Sequence, residues 1–160
     1  MPAGIGVTPP IPAGTYEVRF GYQPTPGRGV AQLGFDGLPC GIPLDLRIAA
    51  DDKSNLIGWV KPSDSNLDDP YGYENDKMMR NRGYMKGPSN YKCYINMSGW
   101  GYNTDVARVN AHVLRRILGI YTFDKPGTHI FSVKSVFAGQ FMFDYLEFVP
   151  TSLLSTEGVD

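Results

Sequence analysis

The sequence lacks the features that mark several large classes of protein. Its 15 Lys and Arg residues nearly balance 16 Asp and Glu, so it has no basic surface for nucleic acid or an anionic membrane. It has no apolar run near the roughly 20 residues that span a bilayer, and its first residues lack the basic and apolar regions of a signal peptide. We therefore expect no nucleic-acid partner, no transmembrane segment and no signal peptide in this stretch.

Side chains suited to catalysis or zinc binding are also few. His112 and His129 are the only histidines and no GxSxG motif occurs, so we predict that the chain is not an enzyme. Cys40 and Cys93 have no CxxC spacing, which argues against a zinc site. Free thiols are the favoured interpretation for the two cysteines, and a disulfide between them is the alternative.

Glycine and proline are abundant, at 19 and 13 of 160 residues, which indicates many turns and few long helices. About eight short strands with turn signals between them, and one short helix, predict an all-β antiparallel sandwich. We expect a single domain over residues 11–151, with a flexible N-terminal lead over 1–10 and a flexible tail over 152–160.

Alternation of side chains predicts several strands and their inward faces. In "GTYEVRFGY" the inward set is Tyr16, Val18, Phe20 and Tyr22, and the solvent-facing set is Thr15, Glu17, Arg19 and Gly21. Asp36-Gly37 predicts a type I′ hairpin turn. The core positions before and after that turn are Ala31, Leu33, Phe35, Ile42, Leu44, Leu46 and Ile48.

Four further segments complete the prediction. "LIGWV" (56–60) is a short strand with Trp59 in the core, and "ENDKMMRNRGY" is a helix capped by Asn75 and ended by Gly83. Residues 108–123 fit a helical face in part, but their β-branched content favours a strand. "FMFDYLEFV" (141–149) is apolar on both faces and predicts a central strand that Pro150 ends.

Three motifs carry a family resemblance: "IPAGTYEVRFGY", "VAQLGFDGLPCGIPLDLR" and "KPGTHIFSVKSV" with the closing "FMFDYLEFVP". Together they resemble the galactose-binding-like jelly-roll family, over roughly residues 11–151. "NDKMMRNRGYMKGP" with "LRRILGIYTF" resembles the C-terminal β-sandwich domains of gut-anaerobe surface lipoproteins, found beside fasciclin-like domains or in glycan-utilisation systems. The resemblance implies an extracellular, outer-membrane-anchored location, a glycan or cell-surface polysaccharide as partner, and neighbouring domains of a parent lipoprotein.

Cofactors are not predicted, although two features raise structural calcium as an alternative. Many sugar-binding jelly rolls hold calcium with an aspartate on the last strand, where Asp144 lies, but no early acidic partner is evident here. The loop "DSNLDDPYGYEN" places Asp64, Asn66 and Asp68 at positions 1, 3 and 5 of a calcium loop. It lacks the glycine at position 6 and the glutamate at position 12, so a solvated loop is the favoured interpretation.

Aromatic residues in loops are the candidate ligand-binding site. Trp100 and Tyr102 lie beside Asn103 and Asp105, and a second loop holds Tyr71 and Tyr73. Aromatic faces pack on the C–H patches of a sugar while amide, carboxylate and guanidinium groups such as that of Arg80 bind its hydroxyls. The alternative is that these aromatics cap the core. The basic run of Arg80, Arg82 and Lys86 is interpreted as a solvated helix face paired with carboxylates.

The leading hypothesis is a non-catalytic extracellular module for carbohydrate binding or cell-surface adhesion. The second is a structural or protein-interaction domain without sugar binding, which predicts a flat apolar patch or an exposed edge strand. A hydrolase is the third, and it would need two carboxylates that converge in a cleft.

Overall fold

A computed structural model describes residues 3–60, 73–88, 92–95, 103–106, 108 and 110–156. The elements in chain order are β1 (Ala3–Val7), β2 (Gly14–Tyr22), β3 (Val30–Phe35), β4 (Leu38–Pro39), β5 (Leu44–Asp45), α1 (Tyr73–Asn81), β6 (Tyr84–Lys86), β7 (Lys92–Ile95), β8 (Asn103–Val106), β9 (Leu114–Phe123), β10 (Ile130–Phe137), β11 (Tyr145–Pro150) and a 3₁₀ helix, Thr151–Thr156.

The strands form two principal antiparallel sheets. One has the order β1-β10-β3-β4 with β5 also paired to β3, and the other has the order β11-β2-β9-β6. β7 and β8 form a separate two-stranded ribbon. This architecture confirms the predicted all-β sandwich with one short helix. In the part of the chain that the structure describes, no helix has the length and apolar character needed to cross a membrane.

The core lies between the two sheets and contains the predicted inward residues of β2. Tyr16, Val18, Phe20 and Tyr22 are all buried. Phe20 on one sheet stacks on Phe131 of the other, with ring centroids 5.4 Å apart and an interplanar angle of 25°. Both aromatic rings are removed from water, so this contact is a major link between the layers.

The opposite face of β2 corrects the sequence prediction. Glu17 and Arg19, expected to face solvent, are only 3% and 0% exposed. A second layer covers this face, because Arg80 of α1 reaches across to the Glu17 carboxylate. Burial of these two ionisable groups is tolerated because they pair with each other, and because Glu17 also pairs with Arg80 and Arg19 also pairs with Glu147.

The Asp36-Gly37 hairpin turn is present as predicted. Both residues have positive φ, 48° and 82°, as a type I′ turn requires. Ile42 was predicted to be in the core but is highly exposed, while Leu44 and Leu46 are buried. The reason is that β4 ends at Pro39 and the chain leaves the sheet before it pairs again at Leu44.

Two elements between residues 56 and 83 differ from their predictions. Residues 56–60 are not a strand, since Gly58 has a φ of 76° that turns the chain there. Trp59 is partly buried and packs against the core. The helix begins at Tyr73, before the predicted cap at Asn75, and the chain leaves it at Gly83, whose φ is 85°.

β9 is a strand as predicted, and it contains a bulge. Val18 lies opposite Gly119 and Arg19 lies opposite Ile117, so Leu118 is the extra residue. Gly119 has a φ of 148°, a conformation that residues with a Cβ rarely adopt. Gly119, a residue type that weakens a helix, is therefore the residue whose conformation allows the bulge.

The end of the chain also differs from the prediction. β11 begins only at Tyr145 and pairs with β2 alone, so it is an edge strand rather than a central one. Residues 141–144 belong to the loop before it, which explains their apolar character on both faces. β1 lies within the predicted lead, and the 3₁₀ helix lies at the start of the predicted tail.

Candidate functional site

Most of the predicted ligand and metal residues lie outside the described part of the chain. These are Trp100, Tyr102, Tyr71, Asp64, Asn66 and Asp68. Asn103 and Asp105 are positions of β8, opposite Ile95 and Cys93, and Tyr73 is the first residue of α1. Arg80 and Asp144 are the two predicted residues whose side chains are described, so the stacking platform remains a prediction.

Arg80 is engaged within the fold. Its Nη2 donates to Glu17 Oε2 at 2.6 Å, and its side chain is 28% exposed. Arg82 donates from Nη1 to the carbonyl oxygens of Asn55 and Leu56. Lys86 is fully buried, so the interpretation of this run as a solvated helix face was wrong for that residue.

Arg80 belongs to an arginine–glutamate cluster made of Glu17, Arg19, Arg80, Arg115 and Glu147. Arg19 Nε lies 2.7 Å from Glu17 Oε1, and Arg19 Nη1 lies 3.1 Å from Glu147 Oε2. Arg115 Nη1 also reaches Glu147 Oε2, at 3.1 Å. Glu17 and Glu147 are thus each held by two arginines, an arrangement that ties α1, β2, β9 and β11 together.

The two histidines also serve the fold. His129 Nδ1 lies 2.7 Å from Asp36 Oδ2, and its ring stacks on Phe123 at a centroid distance of 3.8 Å. Asp36 Oδ1 accepts a bond from the Ile130 amide, so one carboxylate joins the hairpin turn to the start of β10. His112 Nδ1 lies 3.3 Å from the Pro24 carbonyl oxygen.

The two remaining sequence candidates are Cys40 and Asp144. Cys40 is a buried free thiol that lies 3.4 Å from the Tyr121 hydroxyl, which agrees with the favoured interpretation for this cysteine, and the side chain of Cys93 lies outside the described part of the structure. Burial raises the pKa of the Asp144 carboxyl. Within the described ranges, no group of three or more His, Cys, Asp or Glu side chains is placed to hold a metal ion.

An open groove of about 580 Å³ lies between β1 and the β10–β11 loop. Its volume falls in the range of ligand-binding clefts. β1, β3, β10 and the loop supply its walls, and Phe131 and Val133 lie at its base. Two exposed aromatic residues form the rim: Phe137, the last residue of β10, and Phe143 of the β10–β11 loop.

Two glycines in β1 create much of this space. Gly4 lies opposite Val133 and Gly6 lies opposite Phe131, so both point toward the interior of the sandwich. A Cβ added at either position would meet no atom within 4 Å. Side chains that would normally complete the core along this edge are therefore missing, and the groove occupies their place.

The loop that forms the other wall is held in a fixed position. Phe141 and Phe143 pack on Phe20, with ring centroids 5.7 Å and 5.9 Å away. Arg28 Nη1 donates to Gln140 Oε1 at 3.2 Å, and the Gly29 amide donates to the Gln140 carbonyl at the same distance. The groove is thus a built feature of the fold, with walls that belong to the core packing.

The groove has little polar character. Ser135 and Gln140 are the polar side chains among its lining residues, and none of the described lining residues is charged. A buried polar group without a hydrogen-bond partner costs about 1–3 kcal/mol, so a sugar with many hydroxyls would be a poor occupant. Uncharged apolar groups fit it better.

β1 itself is an exposed edge. Ile5 and Val7 lie opposite Ser132 and Ile130, on the outer face of the sheet, and are 72% and 66% exposed. Sequence reasoning assigned these residues to a flexible lead and missed both the strand and the groove. The available signal was the alternation of "AGIGV", where glycine occupies every inward position and an aliphatic residue every outward one.

Comparisons of the chain with protein-family models, with curated proteins and with solved structures found no match.

Proposed function

We propose that the chain is a non-catalytic adhesion module of a cell-surface protein, and that it binds another protein at the groove and the β1 edge. The observation that carries the proposal is the apolar groove with its exposed rim. The cell-surface location rests on the resemblance to surface lipoproteins. The proposal combines the adhesion role of the first sequence hypothesis with the protein partner of the second, which predicted an apolar patch or an exposed edge strand.

The exposed apolar surface around the groove supports a protein partner. Phe137 and Phe143 line the groove and are 57% and 54% exposed, and Ile5 and Val7 are exposed on the outer face of the same edge strand, β1. If an aromatic side chain presents roughly 200 Å², the two exposed aromatics offer on the order of 200 Å² of apolar surface beside the groove. Exposed apolar side chains beside an apolar groove are typical of interaction surfaces, because leaving them in water is costly.

The described chemistry favours this partner over a sugar. The groove offers few polar groups for hydroxyls, and the Arg80 guanidinium is paired with Glu17. Carbohydrate binding at Trp100 and Tyr102 is therefore the competing outcome of the test. Glycan binding that is lost on Trp100→Ala, with the fold intact, would favour that competing function.

Site-specific photo-crosslinking on whole cells tests the proposal. A benzophenone amino acid replaces Phe143 at the groove rim in one variant and Leu38 in a control. Leu38 is a matched control because it is an exposed apolar residue, 68% exposed, on β4 outside the groove. We expect discrete crosslinked protein bands at position 143 and none at position 38.

Competition makes the test specific to the groove. An excess of unlabelled wild-type domain should abolish the crosslinks at position 143. An excess of Gly4→Val/Gly6→Val domain should not, because the added side chains fill the groove. Equal crosslinking at both positions, or equal competition by both domains, would refute the proposal.

A further inference from the structure

Along the outer edge of β1, the backbone has hydrogen-bonding groups that no described strand pairs with. The Thr8 amide donates to the His129 carbonyl at 2.9 Å, and the register then alternates along β1. Gly4 and Gly6 therefore turn their N–H and C=O groups toward β10, and Ile5 and Val7 turn theirs away from it. Among the described residues no strand pairs with that outer edge.

The same alternation places the groove beneath the position that a strand added to the outer edge of β1 would occupy. In an antiparallel strand added to β1, the residues opposite Gly4 and Gly6 would form the close, non-hydrogen-bonded pairs. Their side chains would point inward over two residues that have none, into space where a Cβ meets nothing within 4 Å. Large side chains commonly cover edge glycines in this way.

The same strand of a second copy fits this edge poorly. Pairing β1 with β1 would place Gly4 and Gly6 of one copy near the glycines of the other, and both grooves would stay open. The occupant must instead bring bulky apolar residues at alternate positions.

Charge adds a further requirement on the occupant. Lys134 is the only charged residue in β1 and β10, and it is exposed on the outer face opposite Ala3. The added residue opposite Ala3 lies in the same cross-strand row as Lys134, roughly 10 Å away between backbones. A glutamate there would be within reach of the lysine and would complement its charge.

From these features we propose that β1 receives an extended segment of another protein by antiparallel strand addition. The segment carries bulky apolar residues at two alternate positions and an acidic residue on the outer face toward its C-terminal end. This inference rests on the proposed protein-binding function and specifies how the partner binds. Main-chain bonds to Ile5 and Val7 supply affinity, and the two inward side chains supply specificity.

A synthetic peptide tests the mode directly. The probe is acetyl-Lys-Thr-Leu-Thr-Phe-Glu-Ser-amide, in which Leu and Phe are to lie opposite Gly6 and Gly4. One variant is N-methylated at the central Thr, whose amide is to bond the Ile5 carbonyl. The matched control is N-methylated at Phe, whose amide points away from β1. We expect titration calorimetry to show at least tenfold weaker binding for the first variant and less than a twofold change for the control.

Protein variants address the same two features separately. Ile5→Pro removes an amide that faces the free edge and takes no part in pairing with β10. Gly6→Val keeps the edge and fills the groove, and it should not lower stability because valine favours a strand. Both should weaken the peptide at least tenfold. Gly127→Val is the control, because its Cβ also meets nothing within 4 Å and it does not line the groove.

Each other outcome overturns strand addition. Equal affinity for the two N-methylated peptides would mean apolar contact without backbone pairing. A dimer in light scattering that Ile5→Pro dissociates would mean that a second copy occupies the edge. Failure of the peptide to bind, while crosslinks at position 143 persist, would reject this mode and leave the proposed function standing.

Discussion

Glu17→Gln is the perturbation that most sharply tests the buried face of β2. The Glu17 side chain is 4% exposed, and both of its oxygens accept bonds from arginines. Arg19 Nε lies 2.7 Å away and Arg80 Nη2 lies 2.6 Å away. The glutamine side chain has the same shape as glutamate, but it carries no charge and has a single acceptor oxygen. One of the two guanidinium groups would therefore direct an N–H at the N–H of the glutamine amide.

The burial of Glu17 determines how much stability the substitution should cost. Breaking a buried ion pair by removing one partner costs about 3–5 kcal/mol, because the remaining charge stays buried. Glu147→Gln is the matched control, since Glu147 is 28% exposed and its contacts are longer, at 3.1 Å. Its loss should cost about 1 kcal/mol, in the range of solvent-screened pairs.

Urea unfolding, followed by far-ultraviolet circular dichroism, measures both variants. The free energy of unfolding falls by about 2 kcal/mol per M of urea for a small domain. Glu17→Gln should therefore lower the urea midpoint of unfolding by roughly 1.5–2.5 M, and Glu147→Gln should lower it by about 0.5 M. The slopes should stay unchanged. A Glu17→Gln midpoint no lower than that of Glu147→Gln would refute the burial of this carboxylate between two arginines.

Three further predictions concern other described contacts. Gly21→Ala should cost about 1–3 kcal/mol, because its Cβ would lie 2.3 Å from the Tyr145 ring, and an additional Tyr145→Ala change should relieve part of that cost in thermal unfolding. Burial raises the pKa of the Asp144 carboxyl above its model-compound value of 3.8, so the ionised form of this side chain destabilises the fold at neutral pH. Asp144→Asn should therefore raise the Tm at about pH 7. The gain in Tm should vanish by about pH 3, where the carboxyl is protonated in both the folded and the unfolded protein. Burial also raises the pKa of the Cys40 thiol. Cys40 should therefore react with an aromatic disulfide reagent roughly a hundredfold more slowly in the native protein than in the unfolded one, as measured by peptide-level mass spectrometry. Equal rates in the two states would contradict the burial of Cys40.

Local patterns predicted the parts of the fold that depend on local geometry. The alternation around Phe20 gave the core face of β2, and Asp36-Gly37 gave the hairpin, because side-chain period and positive φ are properties of adjacent residues. The burial of Glu17 depends on Arg80, which lies 63 positions away in the sequence. A charged residue in an alternating strand ordinarily faces solvent, so no local signal could reverse that prediction.

The groove was not predicted because the positions of its two walls, β1 and the β10–β11 loop, are set by contacts with residues distant in the sequence. β1 pairs with β10 through contacts such as Gly4 opposite Val133, and a five-residue strand with two glycines is weak evidence on its own. Phe141 and Phe143 read as part of a strand because they are apolar, but they pack on Phe20 from a loop. Apolar character in the sequence did not indicate that both come from a loop, or that Phe143 stays 54% exposed at the rim of the groove.

Amide hydrogen exchange along β1 tests the central claim most directly. In the free protein the amides of Ile5 and Val7 should exchange much faster than those of Gly6 and Thr8, which face β10. Addition of the alternating peptide should slow Ile5 and Val7 selectively. Slow exchange at all four amides before the peptide is added, or no change at Ile5 and Val7 at saturating peptide, would contradict a free edge that accepts a strand.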